Sequence, residues 1–163
     1  MKSIYFLIAA VSFCLGSADV AAQDSVMTEK QEKNSKAIVY VYRAMSAEDG
    51  RQARQEVYSD GKSLAKLGGG EYLIALLAPG KHSLKAEGKD QSDLILELKA
   101  GETYYFRLAS GGTAPATPLL AQVPREKATV EIRQAAPIKA AEVKNRKLVV
   151  TDYNAFETDA KPQ

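Results

Sequence analysis

The stretch GGGEYLIALLAPGKHSLKAEG, residues 68–88, decides the fold, because it gathers a glycine cluster, an apolar run, a Pro-Gly-Lys turn and the chain's single histidine. Leu and Ala favour helix, and on propensity alone EYLIALLA reads as one. The run is closed within eight residues by Gly70 on one side and Pro79-Gly80 on the other. An isolated helix that short is marginal, whereas a buried strand of that length is ordinary. The strand reading turns the stretch into a strand-turn-strand corner. Beyond the turn, His82, Leu84 and Ala86 alternate with Ser83, Lys85 and Glu87, the pattern of a half-buried antiparallel partner.

Working outward, the same period of two recurs. AIVYVYR, residues 37–43, packs β-branched and aromatic residues on both alternating faces, so it belongs at the centre of a sheet covered on both sides. EVYSDGKSLAKL, residues 56–67, splits into two strand-like pieces at Asp60-Gly61, a pair able to supply the positive φ angles of a two-residue hairpin. DLILELK places Leu94, Leu96 and Leu98 inward and Ile95 outward, and TYYFRL places Tyr104, Phe106 and Leu108 inward, leaving Thr103, Tyr105 and Arg107 outside. LLAQV supplies a further strand after a Gly/Pro loop, and PREKATVEIRQA reads as a short helix with Pro124 at its first turn and Ala128, Ile132 and Ala135 as its buried stripe. About seven short strands separated by turns, with one short C-terminal helix, describe a mainly β protein, a small antiparallel β-sandwich.

The segments KAIVYVYR, VYSDGKSLAKLGGGEYLIALLAPGKHSLKAE and LKAGETYYFRL, in this order and spacing, resemble the bacterial domain-of-unknown-function family numbered 2846, over roughly residues 36–134. The most specific parts are the block from Gly70-Glu71-Tyr72 to Pro79-Gly80-Lys81-His82 and the block Gly101–Arg107. Members of that family look like exported or lipid-anchored envelope proteins with a small β-sandwich. The resemblance implies fold and compartment, and it implies no activity.

The N-terminus supports the same compartment. Lys2, an apolar run from Ile4 to Leu15 and small residues at Val20, Ala21 and Ala22 make residues 1–22 a secretory signal peptide, and the run is shorter than the ~20 residues a membrane span needs. Residues 23–36, QDSVMTEKQEKNSK, form a polar, aperiodic spacer. The sandwich domain is expected over 37–135, followed by an extension over 136–163 expected to be largely a flexible tail, with poor order past Tyr153. Cys14 lies inside the leader, preceded by Phe13 where a lipid-attachment motif wants a small residue. A lipid anchor at Cys14 is the alternative to a periplasmic or secreted chain.

Removing residues 1–22 takes away Lys2, Asp19 and the chain's one cysteine, so the net charge stays at +2 and no disulfide can form. That charge is too small to attract nucleic acid, and no partner of that kind is expected. Gly61-Lys62-Ser63 imitates the end of a phosphate loop, but Glu56 stands where the first glycine belongs, and Gly68–Gly70 lacks the third glycine of a dinucleotide fingerprint, with Leu73 in its place. One histidine and no exported cysteine exclude the usual zinc sets. Asp90-Gln-Ser-Asp93 is too short for a calcium loop. The expectation is therefore no metal and no cofactor.

Three residues remain as binding candidates. Tyr105 and Arg107 share an outer face expected to be exposed, and such side chains are enriched at contact centres. His82 beside the turn is read first as a hydrogen-bonded edge residue. The reading as a whole is a non-catalytic envelope domain that binds an envelope protein or a surface polymer. A small-ligand carrier using Tyr40, Tyr42, Tyr72, Tyr104 and Tyr105 is the alternative, followed by a hydrolase or transferase centred on His82 with Glu71 or Glu87. Seven basic against three acidic residues between Arg125 and Lys147 also suit anionic headgroups or acidic polymers.

Overall fold

The computed structural model describes residues 34–45, 54–87, 93–109 and 120–151. Residues 1–22, read from sequence as a signal peptide, most of the expected spacer, the Gly/Pro loop, the segment through Asp90 and the region past Tyr153 lie outside these residues. In chain order the elements are β1 (Ala37–Arg43), β2 (Gln55–Ser59), β3 (Lys62–Leu67), β4 (Glu71–Leu77), β5 (Gly80–Ala86), β6 (Leu94–Leu98), β7 (Thr103–Leu108), β8 (Leu120–Gln122), helix α1 (Arg125–Ile132) and β9 (Ala136–Pro137), then a 3-10 turn at Ala140–Glu142.

These strands form a sandwich of two sheets, ordered β8-β7-β1-β4-β9 and β3-β2-β5-β6. The four-stranded sheet is antiparallel throughout. The five-stranded sheet is mixed, since β1 runs antiparallel to β4 but parallel to β7, and β4 runs parallel to β9.

β1 sits at the centre of its sheet, and each of its seven residues is buried. Ala37, Val39 and Val41 enter the core between the sheets, with Leu73, Ala75 and Leu77 from β4 and Phe106 and Leu108 from β7. Ile38, Tyr40 and Tyr42 point the other way. There they join Tyr72, Ile74, Tyr105 and the α1 residues Ala128 and Ile132 in a second core. The helix stripe read from the sequence thus closes the outer face of the five-stranded sheet, with Ala135 packed at its margin.

The hairpin at Asp60-Gly61 has φ of 50° and 72° at its two central residues, with Ser59 paired to Lys62, as a two-residue turn of this type requires. The 68–88 corner differs from the sequence reading in one respect. β4 and β5 are successive strands but not partners: β4 pairs with β1 and β9, and β5 pairs with β2 and β6. The corners at Gly68–Gly70 and at Pro79-Gly80 each carry the chain from one sheet to the other. Gly70, at φ 70°, donates its N–H to the Arg43 carbonyl (3.0 Å) and accepts from the Ala136 N–H (2.8 Å), so it holds together the ends of β1 and β9.

The C-terminal boundary also moves. Residues 136–151, expected to begin a flexible extension, are built into the domain: Ile138, Val143 and Val149 are buried in the inter-sheet core. This strap pairs β9 with the edge of β4, bridges Val143 to Ala65 on β3, and returns to bridge Val149 to Ala75. A register shift explains its grip on β3. Tyr58 pairs with Ser63 and Val57 with Ala65, so Leu64 is skipped, and such a bulge leaves one residue out of the ladder. The Leu64 carbonyl accepts from the N–H groups of Lys144 (2.8 Å) and Asn145 (3.1 Å).

Two stability outcomes follow from these contacts. Gly70→Ala forces a side chain into a left-handed backbone and against Met45, and should cost about 1 to 2 kcal/mol, read as a lower urea midpoint at unchanged slope. Ile138→Ala should cost about 2 to 5 kcal/mol, as for a buried core residue; an unchanged midpoint would return residues 136–151 to the tail.

Candidate binding surface

His82 opens onto one end of the sandwich, where the β2–β3 turn meets the β4–β5 corner. Its Nδ1 lies 2.7 Å from Asp60 Oδ2 and its Nε2 2.8 Å from the Ala78 carbonyl oxygen. Both partners are acceptors, so both contacts are made as hydrogen bonds only when each ring nitrogen carries its proton. Asp60 is held in turn by β5: its Oδ1 accepts the Ser83 N–H at 2.9 Å, and its own N–H donates to the Ser83 carbonyl at 2.9 Å. Partial burial works against the Asp60 carboxylate, but the Ser83 N–H and the His82 ring together outweigh it and lower its pKa. The imidazole is a cross-tie between the β2–β3 turn and the β4–β5 corner.

The two acids proposed to assist it lie elsewhere. Glu71 is at the opposite end of β4 from Ala78, paired with the two terminal guanidinium nitrogens of Arg54 (2.8 and 2.7 Å) and accepting the Gly68 N–H at 3.0 Å. Glu87 follows the far end of β5, where its N–H bonds to the Glu56 carbonyl. Among the described residues no group of three or more His, Cys, Asp or Glu is placed to hold a metal ion. Asp93 faces Lys85 at 3.5 Å.

Tyr105 and Arg107 do share the outer face of β7, but Tyr105 is buried there rather than exposed as expected, while Arg107 keeps 42% of its side chain accessible. Tyr105 is only 6% accessible; it pairs with Tyr40 in the β1–β7 register and stacks on it with ring centroids 5.0 Å apart, while Tyr40 and Tyr72 lie 6.4 Å apart. Arg107 Nε lies 3.4 Å from Glu131 Oε2 of α1. The neighbouring Tyr42 hydroxyl is pushed well above the ordinary tyrosine range, first by burial and then by Glu131, with Arg107 opposing. Period-two patterning placed these side chains on the outer face correctly but carries no information about what covers that face. Here α1 does.

Among the described residues, no helix covers the outer face of the four-stranded sheet. Inward burial of Val57, Leu84, Leu96 and Leu98 turns Glu56, Tyr58, Ser83, Lys85 and Ile95 outward. Ser63, Tyr58 and Lys85 are neighbours across three strands, as are Ser83 and Ile95 across two. Ser63 donates to Glu56, and this bond is the chief cause that lowers the Glu56 pKa, partial burial opposing and Tyr58, Lys66 and Lys144 assisting. The Tyr58 pKa is raised by burial and then by Glu56. Ile95 is 60% accessible. The tyrosine of this surface, Tyr58, was missed from sequence, though alternation in QEVYS about Val57 points it outward.

The family model described as protein of unknown function (DUF2846) matches residues 33–116, which take in β1 through β7 and stop short of β8, α1 and the strap. No curated protein and no solved structure matches the chain. No helix among the described residues is long and apolar enough to cross a membrane.

The Asp60 cross-tie has a defined acid dependence. A folded pKa below the unfolded value of about 3.9 gives stability that is complete above that value and lost as the pH falls through the lower folded one. Asp60→Asn keeps a residue that tolerates positive φ and should cost at most about 1 kcal/mol at neutral pH, the range of an exposed pair. The two proteins should converge in melting temperature in acid; a gap that stays constant would remove the carboxylate from the account.

Proposed function

The chain belongs to the DUF2846 family of proteins of unknown function, and on that footing we propose that it is a non-catalytic exported domain of the cell envelope that binds an envelope protein or a surface polymer. The observation that carries this reading is the engagement of both nitrogens of the only histidine by a turn carboxylate and a backbone carbonyl. Proton-transfer chemistry needs a group within reach of substrate and free to exchange its proton, and His82 instead ties two corners together.

The open face supports the binding half. One sheet is covered by α1, while the other presents Tyr58, Lys85 and Ile95 on a rigid four-stranded platform. Four of the five tyrosines a ligand carrier would use lie in the core beneath α1, with Tyr40 against both Tyr72 and Tyr105, which disfavours that alternative. The leader-like residues 1–22 and a remainder without cysteine support export.

The test is comparative. A Tyr58→Ser/Lys85→Glu double variant should lose in-cell crosslinking to its envelope component at least about tenfold, with stability nearly unchanged, as surface substitutions commonly leave it. His82→Ala should lower the melting temperature and retain crosslinking. The reverse result, function lost with His82 and kept without the open face, would overturn the proposal.

A further inference from the structure

Sheet edges are templates for association, and folded proteins blunt them by shortening, covering, kinking or charging them. Three of the four edges here are treated in this way. β8 has three residues and β9 two, and β3 is bridged by Val143 and its Leu64 carbonyl is taken by Lys144 and Asn145. The fourth edge, β6, is neither shortened nor kinked, and Glu97 is its one charged residue. It has five residues, LILEL, pairs with β5 in unbroken register, and holds no proline or lysine. Among the described residues nothing bonds to its free side. Its outward Ile95 is 60% accessible.

The sequence around this strand is complementary to itself. Asp93-Leu94-Ile95-Leu96-Glu97-Leu98-Lys99 can meet a second copy in antiparallel register only if inward residues face inward ones, because directly opposed side chains lie on the same face. Three central registers satisfy that rule. Centring on Ile95 sets Asp93 against Glu97, and centring on Glu97 sets that carboxylate against its own copy. Centring on Leu96 sets Asp93 against Lys99 at both ends, Leu94 against Leu98, and Ile95 against Glu97, with no like charges opposed.

We propose that two copies of this chain join β6 to β6, antiparallel about Leu96, so that their four-stranded sheets run on as one. The half-buried Leu94 gains cover from Leu98 of the second copy. Asp93 faces Lys85 at 3.5 Å and Lys99 faces Glu102 at 3.8 Å, both exposed pairs, so exchanging partners costs little. The dimer doubles the open face without occluding it, and this inference does not rest on what that face binds.

Sedimentation equilibrium of the purified full chain over a wide concentration range tests it, with circular dichroism reporting the fold. The expected result is a reversible monomer–dimer equilibrium. Ile95→Glu sets like charges opposite Glu97 twice and should weaken the dimer about tenfold, whereas Ile95→Lys, ordinarily an edge protector, should tighten it several-fold. Asp93→Lys should weaken it, and Asp93→Lys combined with Lys99→Asp should restore it. These two positions flank the strand and are exposed, so they keep the test alive if a substitution within β6 unfolds the chain. A monomer at every concentration, or a dimer that responds identically to glutamate and lysine at position 95, overturns the proposal.

Discussion

A strand without a polar face sets the terms for everything around it. β1 buries all seven residues, and with fully buried aliphatic or aromatic side chains each contributing roughly 1.5 to 3 kcal/mol, neither side of its sheet can be left to water. One side is met by the four-stranded sheet and the other by α1. The sandwich alone satisfies only half of that requirement. The segment matched by the family model supplies β1 to β7; the cover for Tyr40, Tyr72 and Tyr105 comes from residues beyond it.

The same constraint explains why the tyrosines proved a poor guide to function. Five of them were read as a possible contact supply, and four, Tyr40, Tyr42, Tyr72 and Tyr105, ended in the second core. Aromatic rings bring large apolar areas to a core, and a sheet capped by a single two-turn helix needs broad, flat side chains to fill the space beneath it. Among the described tyrosines Tyr58, on the sheet with no helix, is the one left to face outward, and Glu56 engages its hydroxyl. Exposure here follows from which sheet a residue belongs to, which local alternation does not encode.

Much of the fold was legible because its signals are local. Alternation fixed the facing of Leu84, Leu96, Leu98, Phe106 and Leu108, and Asp60-Gly61 fixed a hairpin, all within a few residues of sequence. What escaped was non-local. The corners at Gly70 and Gly80 look like hairpin turns but exchange sheets, since partner choice depends on strands far along the chain. In the strap, Ile138, Val143 and Val149 are buried at spacings of five and six residues, which match neither the strand period nor the helical one. Of the candidate site, the place of His82 beside a turn could be read, but its carboxylate partner sits 22 positions earlier and became visible only once the corners were folded together.

The strap gives the molecule a sense of time as well as shape. Contacts of long sequence separation must first meet the entropy of closing a long loop, and residues 123–150 fasten onto strands laid down far earlier: Ala65, Tyr72, Ala75 and Tyr105. A nascent chain emerging from its N-terminus therefore carries a bare, tyrosine-studded sheet until this segment follows. Until then the second core lacks the Ala128 and Ile132 side chains that close it.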